Sequence, residues 1–387
     1  MVFERVVFNM LLIPVGQLTE GQVLARPVFN PQNPRQDLLK AGFILKKKII
    51  QSLVRIGIDR VWIQDNDFDF LDDLIDDKLE IVKREVYSDI QEHFSSIMDG
   101  KTTKIPFAQY QVKVRSLFDS IFANQDSVNF LQELNSYDNF LAAHSFNVCY
   151  LSILLAIKLD HTMVHEKGYA TNFNEIVCQV GEAALFHDIG KTMIDKKVAL
   201  KPLGHTEEEL EILIPHVQEG FKMLRDHVDP SIANVALNHH QKFNGKGYPA
   251  INGKDPLAGK KIHIYSRVVS IVNVYDLLIT TNPYVPPKLP VQALYYIKYG
   301  LEGWFDPEIR KAFLQLVPPF PVGTKICLNT GDFAVVVSQN IEHPCRPCVK
   351  ILANPKGERY PTFKQNSIDL AAEPRIIIQF QNGVNIE

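Results

Sequence analysis

The sequence is poor in cysteine and has no large excess of charge of either sign. Its five cysteines, at 149, 178, 327, 345 and 348, are odd in number and scattered over 387 residues. That excludes a disulfide-stapled scaffold and points to a reducing, cytoplasmic compartment. A formal net charge of −3 provides no global attraction for a polyanion. Neither polymeric nucleic acid nor a membrane is therefore expected as a partner, and any anionic ligand must be met by local basic groups. The apolar stretch from Val6 to Val15 is too short to span a bilayer, and it lacks the basic flank and cleavage site of a signal peptide. It reads instead as the first strand of an N-terminal domain. No internal repeat or low-complexity tract is visible.

What is present is an ordinary globular composition, 46% apolar and 22% charged, in a chain long enough for two or three domains. Short β-type runs, such as Gln22 to Phe29 and Arg60 to Ile63, are broken by Gly, Pro and Asn turns, with a small helix from Lys47 to Ile56 between them. They predict a small α/β module over 1–70, an adaptor or interaction unit without chemistry of its own. An acidic stretch, Asp65 to Asp77, marks a boundary, and a connecting helix is expected within 71–104. From 105 to 317 apolar residues recur at three- and four-residue spacing, which predicts an all-helical domain. After Pro318-Pro-Phe-Pro321 the chain turns to strands at 324–328, 333–338 and 375–380, a small β-rich segment over 318–387. The fold class expected is therefore mainly α, with small α/β and β flanks.

Chemistry concentrates at His187-Asp188, on a helix predicted from Glu175 to Ile189, with Lys191 one turn further on the same face. His144, His216 and the pair His239-His240 complete a set rich enough to hold two divalent metals, with Asp188 placed to bridge them. Thiolates are absent from the set, which suits iron or manganese as well as zinc. Such a pair can lower the pKa of a bridging water to about 7 and neutralise a phosphoryl oxygen. The other histidines, His161, His165, His205, His227 and His263, read as ordinary packed or surface residues. His343-Pro-Cys-Arg-Pro-Cys348 is one ligand short of a structural zinc site, so its cysteines read as packing residues of a β segment.

Directly after His239-His240-Gln241 comes the loop Lys242-Phe-Asn-Gly-Lys-Gly-Tyr-Pro249. Gly245 and Gly247 allow close backbone approach, Pro249 stiffens the exit, and Tyr248 offers a ring and a hydroxyl. These four features occur in order: His144-Ser-x-x-Val148, His187-Asp-Ile-Gly-Lys191, Lys201-Pro followed by His216, and His239-His with Gly247-Tyr-Pro249. Over roughly Ser136 to Leu316, with Ser266-Arg-Val and Trp304-Phe-Asp-Pro307 in support, the chain resembles the HD-GYP phosphodiesterases of bacteria, which hydrolyse cyclic di-GMP. The N- and C-terminal segments resemble pieces that often flank that domain.

The resemblance implies that His144, His187, Asp188, His216, His239 and His240 hold two divalent ions, with Asp188 bridging. It implies that Lys191 contacts the scissile phosphate or the metal-bound hydroxide, and that Gly247, Tyr248 and Pro249 shape the nucleotide pocket. Some members hold a third metal through a Glu four residues before the first His. Phe140 stands there, so a dinuclear site is expected. The family's last ligand, an Asp, is Asn273 here, which can coordinate through its carbonyl oxygen but brings no charge. Asp276, one turn on, is expected to orient or cap rather than ligate. The family's phosphate-binding Arg-Pro-Tyr and basic residue become Asn282-Pro-Tyr-Val285, and losing an Arg–phosphate contact costs about 1.5–3 kcal/mol. Gln241 and Asn244 also depart from the pattern. Arg267 and the lysines at 242, 246, 254, 260 and 261 are the nearest basic groups that could compensate.

Two functions follow from the resemblance. One is a metal-dependent phosphodiesterase that opens cyclic di-GMP to pGpG, and onward to GMP, by attack of an activated hydroxide, at a rate attenuated by Asn273 and Asn282. The other is an impaired relative that binds metal or nucleotide and signals through protein partners. Cyclic di-GMP is the expected ligand in either case, with other signalling proteins and a homodimer open as partners.

Overall fold

The computed structural model describes residues 10–386 apart from 31–32, 59, 66–76, 103, 124–139, 169–171, 200–204, 251–254, 281, 283, 285, 341, 362–363 and 382–383. Lys201, Lys254, Val285 and most of the acidic boundary stretch thus lie outside the described residues.

The chain begins with β1 (Met10–Pro14), β2 (Val28–Asn30), β3 (Asn33–Leu39), α1 (Lys47–Arg55) and β4 (Arg60–Gln64). β1 pairs antiparallel with β4 and β2 with β3. The helical part runs through α2 (Asp77–Met98), α3 (Phe107–Ala123), α4 (Phe140–Lys158), α5 (Asp160–Lys167) and α6 (Phe173–Leu185). It continues with α7 (Lys196–Ala199), α8 (Glu207–Leu213), α9 (His216–Leu224), α10 (Pro230–Asn238), α11 (Ile264–Ile279), α12 (Pro290–Tyr295) and α13 (Pro307–Leu316). The C-terminal strands are β5 (Lys325–Leu328), β6 (Phe333–Ser338), β7 (Cys348–Ala353), β8 (Ser367–Asp369), β9 (Ile378–Gln381) and β10 (Val384–Asn385). They form one six-stranded sheet in the order β10-β9-β5-β6-β7-β8. The mainly helical architecture with small flanking β units is the one the sequence predicts.

Two apolar cores result. The first is helical and is centred on α4, which is buried on every face from Phe140 to Ala156 because α2, α6, α11 and α13 surround it. α4 is the one described helix long and apolar enough to cross a membrane, yet 94% of that window is buried inside the protein, as in a core helix. α2, expected as a connector, packs Leu79, Val86, Ile90 and Phe94 into this core. The second core joins the chain's two ends: Leu11, Ile13, Leu24 and Val61 pack with Phe320, Val335, Val349 and Ile378. Arg359 and Asp65 add an ion pair of 2.8 Å between the same two segments. A sheet face and a small α/β unit, each too small to stand alone, thereby bury one another.

The C-terminal end of α6 departs from expectation. The helix stops at Leu185, Phe186 leaves the helical region (φ −108°, ψ 6°), and a tight 3₁₀ turn covers Ile189–Met193. His187 and Asp188 therefore lie between two helical pieces rather than on a continuous helix.

Within α6, Glu182 is buried. Burial, with the charges of Glu175 and Asp229 adding to it against a hydrogen bond from Gln111, pushes its carboxyl up from 4.5 to about 7. The folded protein thus keeps a proton that the unfolded chain releases, so this stabilisation is complete below about pH 4.5 and is lost as pH rises to about 7. Glu182→Gln is expected to remove that decline, gaining roughly 1–3 kcal/mol over wild type at pH 8 relative to pH 4. Denaturant unfolding of both proteins across that range checks it; parallel stability profiles would contradict it.

Candidate metal centre

Asp188 sits at the meeting point of four imidazoles. Its Oδ1 lies 3.2 Å from His216 Nε2 and 3.5 Å from His239 Nε2. Its Oδ2 lies 3.4 Å from His187 Nε2 and 3.5 Å from His144 Nε2. Each carboxylate oxygen thus faces its own pair of imidazoles. Two groups have ligand atoms within 4.8 Å of one another: Asp188 with His216, His239 and His240, and Asp188 with His144 and His187. The carboxylate is common to both groups.

Local structure explains the convergence. A Cβ at Gly190 would stand 1.9 Å from the His216 carbonyl oxygen and 2.5 Å from Gly220 N. Only glycine lets the turn after Asp188 press against the first turn of α9 and bring His216 to the carboxylate. His144 enters from the second turn of α4, and His239 and His240 from just past the end of α10.

The ring orientations are fixed from behind. Nδ1 of His187 bonds to the Ala184 carbonyl at 2.7 Å and that of His216 to the Leu213 carbonyl at 2.6 Å. Nδ1 of His239 is shared between the Val235 and Ala236 carbonyls, both at 3.1 Å. A carbonyl accepts only, so these rings carry the proton on Nδ1 and turn the Nε2 lone pair inward. His144 Nδ1 meets Asp276 Oδ2 at 2.7 Å, and Asn147 Nδ2 donates to the other oxygen at 3.0 Å. Asp276 therefore orients His144, the role expected for it.

Burial lowers the imidazoles of His187, His216 and His240, and takes His239 down to about 4. They are neutral ligands near pH 7. Burial opposes the charge of Asp188, but the Lys191 ammonium beside it holds its carboxyl well below the usual range. His144 Nε2, His187 Nε2, Asp188 Oδ1 and Asn273 Oδ1 are buried without a hydrogen-bond partner. Inward lone pairs of neutral imidazoles around one carboxylate fit divalent cations of the borderline class. Asn273 stands three residues before Asp276 on α11, so its orphan carbonyl oxygen shares the face turned to His144.

The loop after α10 covers the second group. Tyr248 stacks on His240 with ring centres 4.6 Å apart and planes at 17°. A Cβ at Gly247 would lie 2.5 Å from the His240 carbonyl oxygen, so the return of the loop over His240 requires glycine. Gln241, a departure noted in the sequence, holds the loop shut: Nε2 donates to the Pro249 carbonyl at 2.7 Å and Oε1 accepts from Leu257 N at 3.0 Å.

Comparisons with known proteins agree with this geometry. An HD-domain family model matches residues 168–309, and a model for a KOW domain associated with HD domains matches 326–380. A cyclic di-GMP phosphodiesterase of Pseudomonas aeruginosa is 29% identical over 241 residues, 62% of this chain and 54% of that protein. One of Thermotoga maritima is 30% identical over 220 residues, 56% and 53% respectively. A cyclic di-GMP phosphodiesterase response regulator of Xanthomonas campestris is 34% identical over 136 residues, 34% and 35%. Over residues 168–309 the chain is thus similar to HD domains, and the relatives it matches are named cyclic di-GMP phosphodiesterases. It spans about half the length of the first two relatives.

Two expectations from the sequence need correction. Arg267 was a candidate for substrate binding; it is 4% exposed and fully engaged with Glu166, Asp306 and the Ile262 carbonyl. Lys191 was expected to share a continuous helical face with His187 and Asp188. It reaches Asp188 through the 3₁₀ turn instead, with Nζ 2.6 Å from Oδ2, and the pair raises its pKa against the effect of burial. Two of the candidate lysines also have internal partners: Lys242 lies 3.3 Å above the Trp304 ring and Lys260 is 3.2 Å from Glu166. Asn282 braces its own loop, donating to the Leu277 and Thr280 carbonyls and accepting from Tyr284 N.

The sequence reading missed Tyr284, whose ring lies 5.2 Å from Lys191 Nζ and edge-on to Phe140 at 6.0 Å. Phe140 in turn stacks on His144 at 5.2 Å. The four-residue spacing of Phe140 and His144 was the available signal for that stack. His227 packs on Phe107 and His263 caps α11, as ordinary structural histidines do.

Removing the Lys191 ammonium strands a buried carboxylate. Lys191→Ala is expected to cost the metal-free protein about 3–5 kcal/mol, read as a fall in Tm. An unchanged Tm would return Lys191 to a purely substrate-facing role.

Proposed function

We propose that this chain is a metal-dependent phosphodiesterase that opens cyclic di-GMP to linear pGpG, and onward to GMP, with iron or manganese as its two cations. The observation that carries this reading is the Asp188 carboxylate shared between two sets of inward-facing imidazoles. The relatives named cyclic di-GMP phosphodiesterases supply the substrate class. When bound, two cations supply positive charge to phosphoryl oxygens and lower the pKa of a water to about 7.

The chain's own residues do the rest. Asp188 fixes the separation of the two ligand sets, and Asp276 holds His144 in the ligating orientation. Lys191, beside Asp188 and below Tyr284, holds a phosphoryl oxygen as a fixed positive charge. Tyr248, half-buried over His240, presents a ring against which a purine stacks.

Asn273 favours an attenuated enzyme, since an amide oxygen replaces a charged ligand. It also supports the second reading, a relative that binds metal or nucleotide and acts through protein partners. Protein purified without oxygen and reconstituted with iron or manganese is expected to convert cyclic di-GMP to pGpG slowly. Asn273→Asp is expected to tighten one cation by about 10–100-fold and to raise turnover. Cyclic GMP–AMP belongs in the same assay, because a relative from Vibrio cholerae, 27% identical over 139 residues, is named for that substrate. Product formation only from the mixed dinucleotide moves the specificity. No product from either, in wild type and Asn273→Asp alike, overturns the enzyme reading in favour of the binding one.

A further inference from the structure

Arg267 has a consequence beyond its own burial. Its Nε donates to the Ile262 carbonyl at 2.9 Å, Nη1 to Asp306 Oδ2 at 2.6 Å, and Nη2 to Glu166 Oε2. Side-chain exposure is 3% for Arg267 and 6% for Asp306. Partners this deeply withdrawn from water act as a rigid joint, because separating them would strand buried charge.

Asp306 closes the turn that runs from Leu301 to α13, and its other oxygen caps that helix at Glu308 N, 2.9 Å away. The far edge of the same turn meets the loop carrying the GYP residues. Phe243 N donates to the Trp304 carbonyl at 2.8 Å and Asn244 N to the Gly303 carbonyl at 2.9 Å. The Lys242 ammonium sits 3.3 Å above the Trp304 ring. Gly303 has φ +74°, and a Cβ there would lie 3.1 Å from Asn244 Nδ2, so the turn fits the loop closely only as glycine. Lys242 follows His240 by two residues. Past the end of α10, the backbone amides of Phe243 and Asn244 rest on this turn, while the Phe243 carbonyl accepts from Gly259 N at 2.8 Å.

We propose that the Glu166–Arg267–Asp306 network is a positioning device for the second cation group. It fixes the Leu301–Asp306 turn, the turn fixes Lys242–Asn244, and that segment holds His240 and Tyr248 against the bridging carboxylate. The proposal rests on the reading that His240 is a metal ligand. α11 then serves both halves of the centre. Arg267 near its start secures the His240 side, while Asp276, about 13 Å further along the helix axis, orients His144 on the other. Arg267, Glu166 and Asp306 are positioning residues; none of them reaches the bridging carboxylate.

The test uses the full chain, with manganese alone as the probe, so it is independent of any substrate. Arg267→Lys keeps the charge but loses the planar fork. Trp304→Leu leaves the network intact and weakens the link from turn to loop by removing the ring under Lys242, which covers the case in which Arg267→Lys fails to fold. Asp276→Asn is the opposite control. Both Arg267→Lys and Trp304→Leu are expected to raise amide exchange over 239–249 and not over 186–193. Both are expected to weaken one manganese by about 10-fold or more while the other binds as in wild type. Asp276→Asn is expected to weaken one manganese without raising exchange over 239–249. Exchange rising evenly across the helical core, or both ions weakening together, would overturn the proposal and leave the network with a general stabilising role. Unchanged exchange over 239–249 in Trp304→Leu would overturn it too. If wild type holds no manganese, the metal reading fails, and the exchange pattern alone decides whether the network positions the loop.

Discussion

The centre depends on one fully buried carboxylate. Asp188 has no exposed surface, and a charge so placed is costly unless it is closely surrounded by partners. The protein surrounds it with four imidazoles and one ammonium drawn from α4, the α6–α7 connection, α9 and the end of α10. Those elements are otherwise far apart in the chain. The helical core can thus be seen as the scaffold that brings them to a single oxygen pair.

That requirement explains features that look unrelated. α4 is buried on all sides, yet it carries His144 and Asn147, because both have partners in Asp276. Gly190 and Gly247 stand where backbone must pass within touching distance of a ligand-bearing segment. The imidazoles of His187, His216 and His239 bond to backbone carbonyls on their outer side, so their orientation is set by helix ends rather than by flexible side chains. A site held by rigid elements in this way needs little reorganisation when charge is placed in it.

Much of the site was legible in the sequence because its chemistry is written in residue type. His187-Asp188, His239-His240 and the GYP loop are adjacent pairs and triplets, and the order of the motifs led directly to the six side chains that the fold brings together. Asp276 was also readable, being one helical turn from Asn273. Arg267 was not, since a basic residue announces charge but not its partners, and Glu166 lies 101 positions away. The same limit hid the core shared by the two ends of the chain, where Leu11 and Val335 meet with no local periodicity to signal it. β7 was not placed as a separate strand, although the cysteines at its start were read as packing residues of a β segment. The end of α6 was placed four residues late because His187 and Asp188 continue the helical spacing while the backbone has already turned.

The central claim is that Asp188 bridges two cations held by distinct imidazole sets. Anomalous diffraction from crystals of the manganese-reconstituted protein measures this most directly. The account predicts two peaks flanking the Asp188 carboxylate, one bounded by His144 and His187 and the other by His216, His239 and His240. A single peak, or two peaks that do not share Asp188, would contradict it.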